Sequence, residues 1–466
     1  MQIPIINGIY TNTVSEFRTS YPRNMVPVPK VTGVSQGFLK PAEGITSVAS
    51  LPGIGRGAME WKGTLYAVAG GSLVSVASNG TVATLGALPG SNPVVMDYSF
   101  DHLGIVTGTD LYLYDGSTLA LVTDPDLGTV LDAVWVDGYW MTTDGTNLVV
   151  TELDDPFSVD PLRYGSSEAN PDAVMRLLKI RNEVYAVNRH TIEVFDNVGG
   201  TGFPFQRIEG AQMQKGAVGN RAACVYEEAV AMLGGGVNEQ PAVWLGVNGQ
   251  VEKISTREID QVLAGHSATT LAAVELRERL FNSHAHLYVT LPDQTLVYDG
   301  AASREVGAPV WFSLTTSVNG LGQYRGGYPT HAYGKWWVLD TAGSAVGNLS
   351  DTESDHWGVE TGWEFGTTVL YNEGRGAIVH ELELVAVPGR VTAGDDPTIW
   401  MQHSNNGMDW SPERPTKAGK AGETRKRIAW RQVGRMEQMR YHRFRGAGSC
   451  RVAIARLEAQ MEGLNH

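Results

Sequence analysis

Six places in this 466-residue sequence hold residue types that do chemistry elsewhere, and each can be weighed by its spacing. Gly53-Ile-Gly55-Arg-Gly57-Ala58 has the G-x-G-x-x-A string of a dinucleotide-binding turn. That turn needs a strand before it, a helix after it and an acid about 20 residues on. Here Pro52 precedes it and the β-type run MEWKGTLYAV follows, so no cofactor is expected. Gly265-His-Ser267-Ala-Thr269 has the start of a nucleophile elbow but lacks its closing glycine and any α/β surroundings. His284 and His286 lie i, i+2 on one β-type run, which would turn both rings to one side as zinc can use, but no third or fourth ligand follows at metal spacing. Glu152, Asp154 and Asp155, and again Asp351, Glu353 and Asp355, offer carboxylates in pairs. A glycosidase needs two such groups about 5 to 10 Å apart across the bond it cuts. Acid clusters of this kind on loops are ordinarily solvated faces. Ser404-Asn-Asn-Gly-Met-Asp-Trp410 is one residue short of the S-x-D-x-G-x-x-W hairpin of sialidase-type propellers and occurs once. No catalytic residue, cofactor site or metal site is assigned.

The elements that would position any such group are strands. Seven stretches repeat one pattern of two short β-rich runs around a tight turn: from Leu65, Leu103, Tyr139, Val184, Ala229, His286 and Trp336. Their turns fall near Gly71, Thr109, Asp144, Asn188, Val237, Pro292 and Thr341. A repeat of roughly 35 to 55 residues with several strands per unit predicts a β-propeller, here of six or seven blades. The 55 glycines cluster at turns, where tight hairpins need positive φ. Helical pattern is scarce. The best case is Thr256 to Gly265, with Ile259, Val262 and Leu263 on one face.

Around the repeat the composition changes. The Pro-rich run Tyr21 to Lys30 predicts an extended arm along a surface, and Gly37 to Ser50 a strand that closes the ring. After about Ser350 the period stops. Runs from Gly362, Ala377, Pro397, Arg427, Arg440 and Ser449 predict a C-terminal β-sandwich, with Asn406-Gly407 as a hairpin signal. The polar stretch Asn348 to Gly358 is the expected boundary. The expected organisation is all-β: an arm and closing strand over 1–50, a propeller over 51–355 and a sandwich with basic strands over 356–466. Cys224 and Cys450 lie far apart and read as small buried thiols of a reduced protein. The N-terminus lacks the charged and apolar regions of a signal peptide, and no apolar run reaches membrane length.

Charge is uneven. Net charge is −14, yet Pro412 to Gly446 holds eleven basic residues against three acids, leaving −22 on the remainder. An acidic body repels nucleic acid, and a basic segment suits an acidic protein neighbour.

Several stretches in order resemble one family: DPLRYGSSEANPDAV (Asp160 to Val174), HTIEVFDNVGG, QMQKGAVG (Gln212 to Gly219), HLYVTLPDQTLVYDG with PVWFSL, and RKRIAWRQVGRM near the C-terminus. YPRNMVPVPK followed by GFLKPAEGI keeps the same order at the start. Together they resemble the tail hub, or packaged-DNA stabilisation, proteins of short-tailed bacteriophages. The resemblance implies a virion protein made in the host cytoplasm, six copies forming a ring below the portal and adaptor rings. That ring would prolong the DNA channel, stabilise the packaged genome and carry spikes, fibres or a needle. It implies no catalysis, no cofactor, no membrane segment and DNA passing without sequence-specific binding. Candidate protein-interface residues are Arg425, Lys426, Arg427, Arg431 and Arg435 in the basic segment, and Arg163 and Tyr164 in the long inter-repeat stretch. The alternative is a glycan-binding or glycan-cleaving propeller, an adhesin or glycosidase.

Overall fold

The computed structural model describes residues 2–3, 5, 21–30, 37–168, 170–200, 202–389, 391 and 393–464. Much of the expected N-terminal arm (1, 4, 6–20 and 31–36) and Ala169 of the RYGSSEANPD stretch lie outside the described residues. The chain forms two compact units: one of Ser47–Leu291 with Arg325–Asn348, the other of Met1–Thr46, Pro292–Tyr324 and Leu349–His466.

The first unit is built from repeated antiparallel sheets. Five have four strands each, starting at Gly55, Val95, Asp132, Val174 and Ala223, with neighbours in chain order. Further strands start at Glu275 (Glu275–Phe281 pairing with His284–Thr290) and at Gly326 (Gly326–Ala332, pairing with Lys335–Asp340). The first strands of these seven repeats contact one another in a closed cycle, the seventh returning to the first. The unit is therefore a seven-bladed propeller.

All seven predicted hairpins are the two middle strands of a blade or the corresponding run. These strands carry the strongest apolar signal because neighbouring repeats cover both their faces, as in Leu103–Val106, which is buried throughout. Gly104 shows how close that packing is: a Cβ there would lie 2.3 Å from the Trp140 ring of the next blade. The predicted helix also forms, over Arg257–Ala264, burying Ile259 and Leu263.

The second unit contains the sandwich. One sheet runs Met25–Pro29, Gly37–Pro41, Ala453–Gly463, Ala377–Val387 and Ile428–Met436, with Gln2–Ile3 also pairing to Ala453–Gly463. The other runs Gly362–Gly366, Met439–Ala447, Thr398–Ser404 and Arg414–Lys417. Between them Trp363, Phe365, Phe444 and Trp430 form a chain of ring contacts at 5.3–5.9 Å. The Pro-rich arm is thus a buried strand of this sheet, not a surface tether. Pro27 and Pro29 are tolerated because Met25–Pro29 lies at the end of that five-strand order. Asn406-Gly407 forms an Asx turn, with Met408 and Asp409 N–H groups donating to Asn406 Oδ1, inside a longer connection than a two-residue hairpin.

Candidate interaction surface

Several of the residues weighed for catalysis serve the fold. Gly55 to Trp61 is a strand followed by another strand, not by a helix. Glu152 accepts from Arg163 Nη1 at 2.8 Å, Asp154 occupies a turn at φ 56°, and Asp351 pairs with Lys40 at 2.7 Å. His286 is buried beside the Phe281 ring. No group of three or more metal-ligating side chains occurs among the described residues, and no helix among them is long and apolar enough to cross a membrane. Cys224 and Cys450 are buried free thiols, each pushed up to about 12 by burial.

The basic segment divides into cations already engaged and cations left over. Ile428–Met436 pairs antiparallel with Ala377–Val387, which sets Arg431 opposite Glu381. Arg427 donates to Glu383 Oε1 at 2.8 Å and to Glu381 Oε1 at 2.6 Å, and Arg431 Nε reaches Glu381 Oε2 at 3.0 Å. These contacts hold Glu381 below the usual carboxylate range, Arg431 contributing most and Arg427 next. Arg445 grips Glu413 through two bonds of 2.5 and 2.6 Å over the Trp400 ring, and Arg443 sits 4.2 Å above Trp410. Arg414 and Arg440 donate to main-chain carbonyls. Lys420, Arg425, Lys426 and Arg435 are exposed and make no ion pair among the described residues. Lys420, Arg425 and Lys426 share one loop, whose Gly422 N–H donates to Gly389, next to exposed Val387.

Arg163 and Tyr164 lie in the other unit, on Asp155–Ser166, the last strand of the third blade. Arg163 is held by Glu152 and Asp160, while Tyr164 is 59% exposed and Leu162 82%. The proposed residues are thus divided between the two units, and the free part of the basic set is smaller than its count suggests.

A third surface was not singled out by the repeat or by the basic run. From residue 63 through 162 there is no Lys or Arg, against thirteen Asp and Glu. This stretch builds most of the first to third blades; at a turn of the second it exposes Phe100 (80%) and Tyr98 (50%), and in the third Leu153 (55%) and Phe157 (41%). Phe100 stands edge-on to Trp135, and Phe157 edge-on to His102. The lost signal was one of absence: a hundred residues without a cation.

Four-stranded blades joined in a cycle and an aromatic-cored sandwich define the fold, and what such a fold does is decided by the surfaces it carries. The family described as bacteriophage P22 Gp10, β-propeller, matches residues 1–354, and the P22 Gp10 β-sandwich matches residues 362–462. The chain belongs to this family of virion tail proteins. A curated relative, the tail hub protein gp10 of Salmonella phage P22, is 24% identical over 483 residues, covering 99% of each chain. Among solved structures, PorZ, a surface component of the type-IX secretion system of Porphyromonas gingivalis, aligns at TM-score 0.37 and 11% identity. That alignment covers 73% of this chain and 44% of PorZ. The Neurospora crassa Pan2 WD40 domain aligns at TM-score 0.40 and 10% identity, covering 65% of this chain and 95% of that domain.

Proposed function

We propose that six copies of this chain form the ring that prolongs the portal–adaptor DNA channel of a short-tailed phage. The ring stabilises the packaged genome, supports spike, fibre or needle attachment, and lets DNA leave during ejection. The observation that carries this reading is the full-length correspondence to one tail hub protein, with the propeller and sandwich in the same order.

Charge supports the passage of DNA. The propeller unit holds 29 acids against 16 bases, a net of −13, leaving −1 for the sandwich unit. Binding phosphates tightly would require a Lys and Arg lining, with affinity falling steeply as salt rises. An acidic body lets DNA slide instead. The role is mechanical, without a catalysed reaction or a cofactor. Of the interface residues, Arg425, Lys426 and Arg435 are the ones free to meet another protein. Arg427 and Arg431 serve the fold of their own sheet first.

Negative-stain images of the purified chain mixed with its cognate portal–adaptor complex test the reading. The expected result is an added ring on the adaptor end. A chain that stays monomeric and leaves the complex unchanged would overturn it.

A further inference from the structure

The exposed aromatics of the second and third blades need a reason. In an up-and-down blade the turn after the first strand and the turn after the third emerge at the same edge of the sheet. In the second blade these are Tyr98 to His102 and Asp115 to Thr118; in the third, Asp137-Gly138 and Leu153 to Asp155. Contacts join them into one surface. Phe100 packs on Trp135, His102 meets Phe157, and Asp154 N–H donates to Gly138 at 3.1 Å. Tyr98, Phe100, Leu153 and Phe157 are between 41% and 80% exposed there. A large exposed apolar group among polar neighbours marks a contact surface.

What surrounds these rings specifies the occupant. Asp101, Asp115, Asp137, Asp154 and Asp155 are all exposed around them; the stretch 63–162 itself supplies no cation, and Lys179 of the fourth blade, 5.0 Å over the Trp135 ring, is engaged by the Trp135 carbonyl at 2.8 Å. Asp115 is held near 2 by the Thr118 and Ser117 N–H groups and the Ser117 hydroxyl, so it keeps its charge at any working pH. A partner must bring both apolar surface and positive charge. The sandwich unit presents that combination on one loop end: free Lys420, Arg425 and Lys426 beside exposed Val387.

We propose that the aromatic–acidic face of blades two and three in one copy docks on the Lys420–Lys426 loop end of the sandwich in the next copy. This rests on the ring reading above. The two surfaces differ, so the contact is head-to-tail, the type that closes into a ring when its rotation permits and has no need of a twofold axis. Charge complementarity sets the register and rejects the wrong face, and the rings supply the desolvated centre.

A charge-swap experiment on the full chain decides this. One variant carries Asp101→Lys, Asp154→Lys and Asp155→Lys; the other carries Lys420→Glu, Arg425→Glu and Lys426→Glu. Ring formation is scored by sedimentation velocity and negative stain, with and without portal–adaptor rings. Each variant alone is expected to lose ring formation by roughly tenfold or more, since like charges then face each other. An equimolar mixture is expected to recover it, because alternating copies restore both opposite-charge contacts, and recovery also shows that both variants are folded. Rings from each variant alone, or loss that mixing does not repair, would overturn the contact while the unsubstituted chain's rings leave the tail-hub reading standing. No ring from the unsubstituted chain under either condition would overturn both.

Discussion

The propeller and the sandwich solve one problem with opposite charges. Both must satisfy backbone groups where elements meet. In the propeller, carboxylates accept from the next blade's main chain: Asp97 Oδ2 from Trp135 N–H and Asp132 Oδ2 from Leu177 N–H, both at 2.7 Å. Glu278 accepts from Glu227 N–H of the preceding blade at 2.9 Å. In the sandwich unit, guanidinium groups donate to carbonyls. Arg440 reaches Val433, Gly434 and Arg435, Arg451 reaches Ala42 and Glu353, and Arg23 reaches Ser317 and Gly362. The propeller does use cations at some seams, as where Arg176 donates to Asn220. The difference is still instructive. A repeat can hold itself with a small local hook between neighbours, whereas Arg23 and Arg451 use several donors each to join segments hundreds of residues apart.

The largest expected effect comes from removing the most deeply buried of these guanidinium groups. Arg440 is 2% exposed and faces carbonyls and Asn405 Oδ1 rather than a carboxylate. Arg440→Met leaves the buried Val433 carbonyl and the half-buried Gly434 and Arg435 carbonyls without this donor, and should destabilise the sandwich by roughly 3 kcal/mol, read as a lower denaturant midpoint. Asn24→Ala comes next. Asn24 Nδ2 donates to Gly362 at 2.7 Å and Thr315 at 3.0 Å, and its Oδ1 accepts from Thr315 N–H at 2.9 Å. Its φ of 51° also suits Asn better than Ala. A loss of about 2–3 kcal/mol is expected by the same measurement.

These two residues also show what sequence reading reaches. The seven hairpins were legible because each middle strand is apolar over four to six residues and its turn is local. Sandwich strands after Ser350 were legible in part from alternation, as in Ala377–Val387, although their pairing is not in chain order. The N-terminal strands were legible as extended runs but the partner of Gly37–Pro41 was not, since Leu39 finds Ile454 across more than 400 residues and no periodicity spans that gap. Which of the proposed basic residues are engaged within their own sheet was not legible. Glu381 and Glu383 neutralise Arg427 and Arg431 through a register visible only once the sheet is formed.

In the propeller the corresponding break should be smaller and selectable. Asp132→Ala orphans the Leu177 N–H and should cost about 1–3 kcal/mol, whereas Asp132→Asn keeps an acceptor and should be close to neutral. The pair also separates the units by pH. Burial pushes Asp132 up to about 6 from an ordinary 3.8, with Arg176 pulling it back down. The folded state then holds a proton that the unfolded state has released. Stability from this group rises as pH falls from about 6 to about 4 and is lost as pH rises through 6. His403 has the opposite sign: burial first, then Arg440 and Arg414, push it down to about 4 from 6.5. His442 beside it is held well below its usual value mainly by burial. Between pH 6.5 and 4 the unfolded state takes up protons that these rings refuse, so the sandwich loses stability as pH falls. Hydrogen exchange at pH 7 and pH 5 should show Thr398–Ser404 and Met439–Ala447 losing protection on acidification while Asp132–Val136 does not. Equal loss in both would mean the two units do not differ in this way.

The smallest effect tests whether the comparison concerns burial or merely charge. Arg427 binds two carboxylates and is pushed up by Glu383 and then Glu381, a stronger set of ion pairs on paper than Arg440 has. It is exposed, however, and exposed pairs lose to solvent screening and side-chain entropy most of what their geometry promises. Arg427→Ala should therefore leave the denaturant midpoint of the full chain unmoved within error, at low and at high salt. A clear drop at low salt that vanishes at high salt would mean the sandwich is held by its surface charge network as well as by its buried arginines. The contrast with the propeller would then lie in the sign of the charges alone, and burial would not be what makes Arg440 matter.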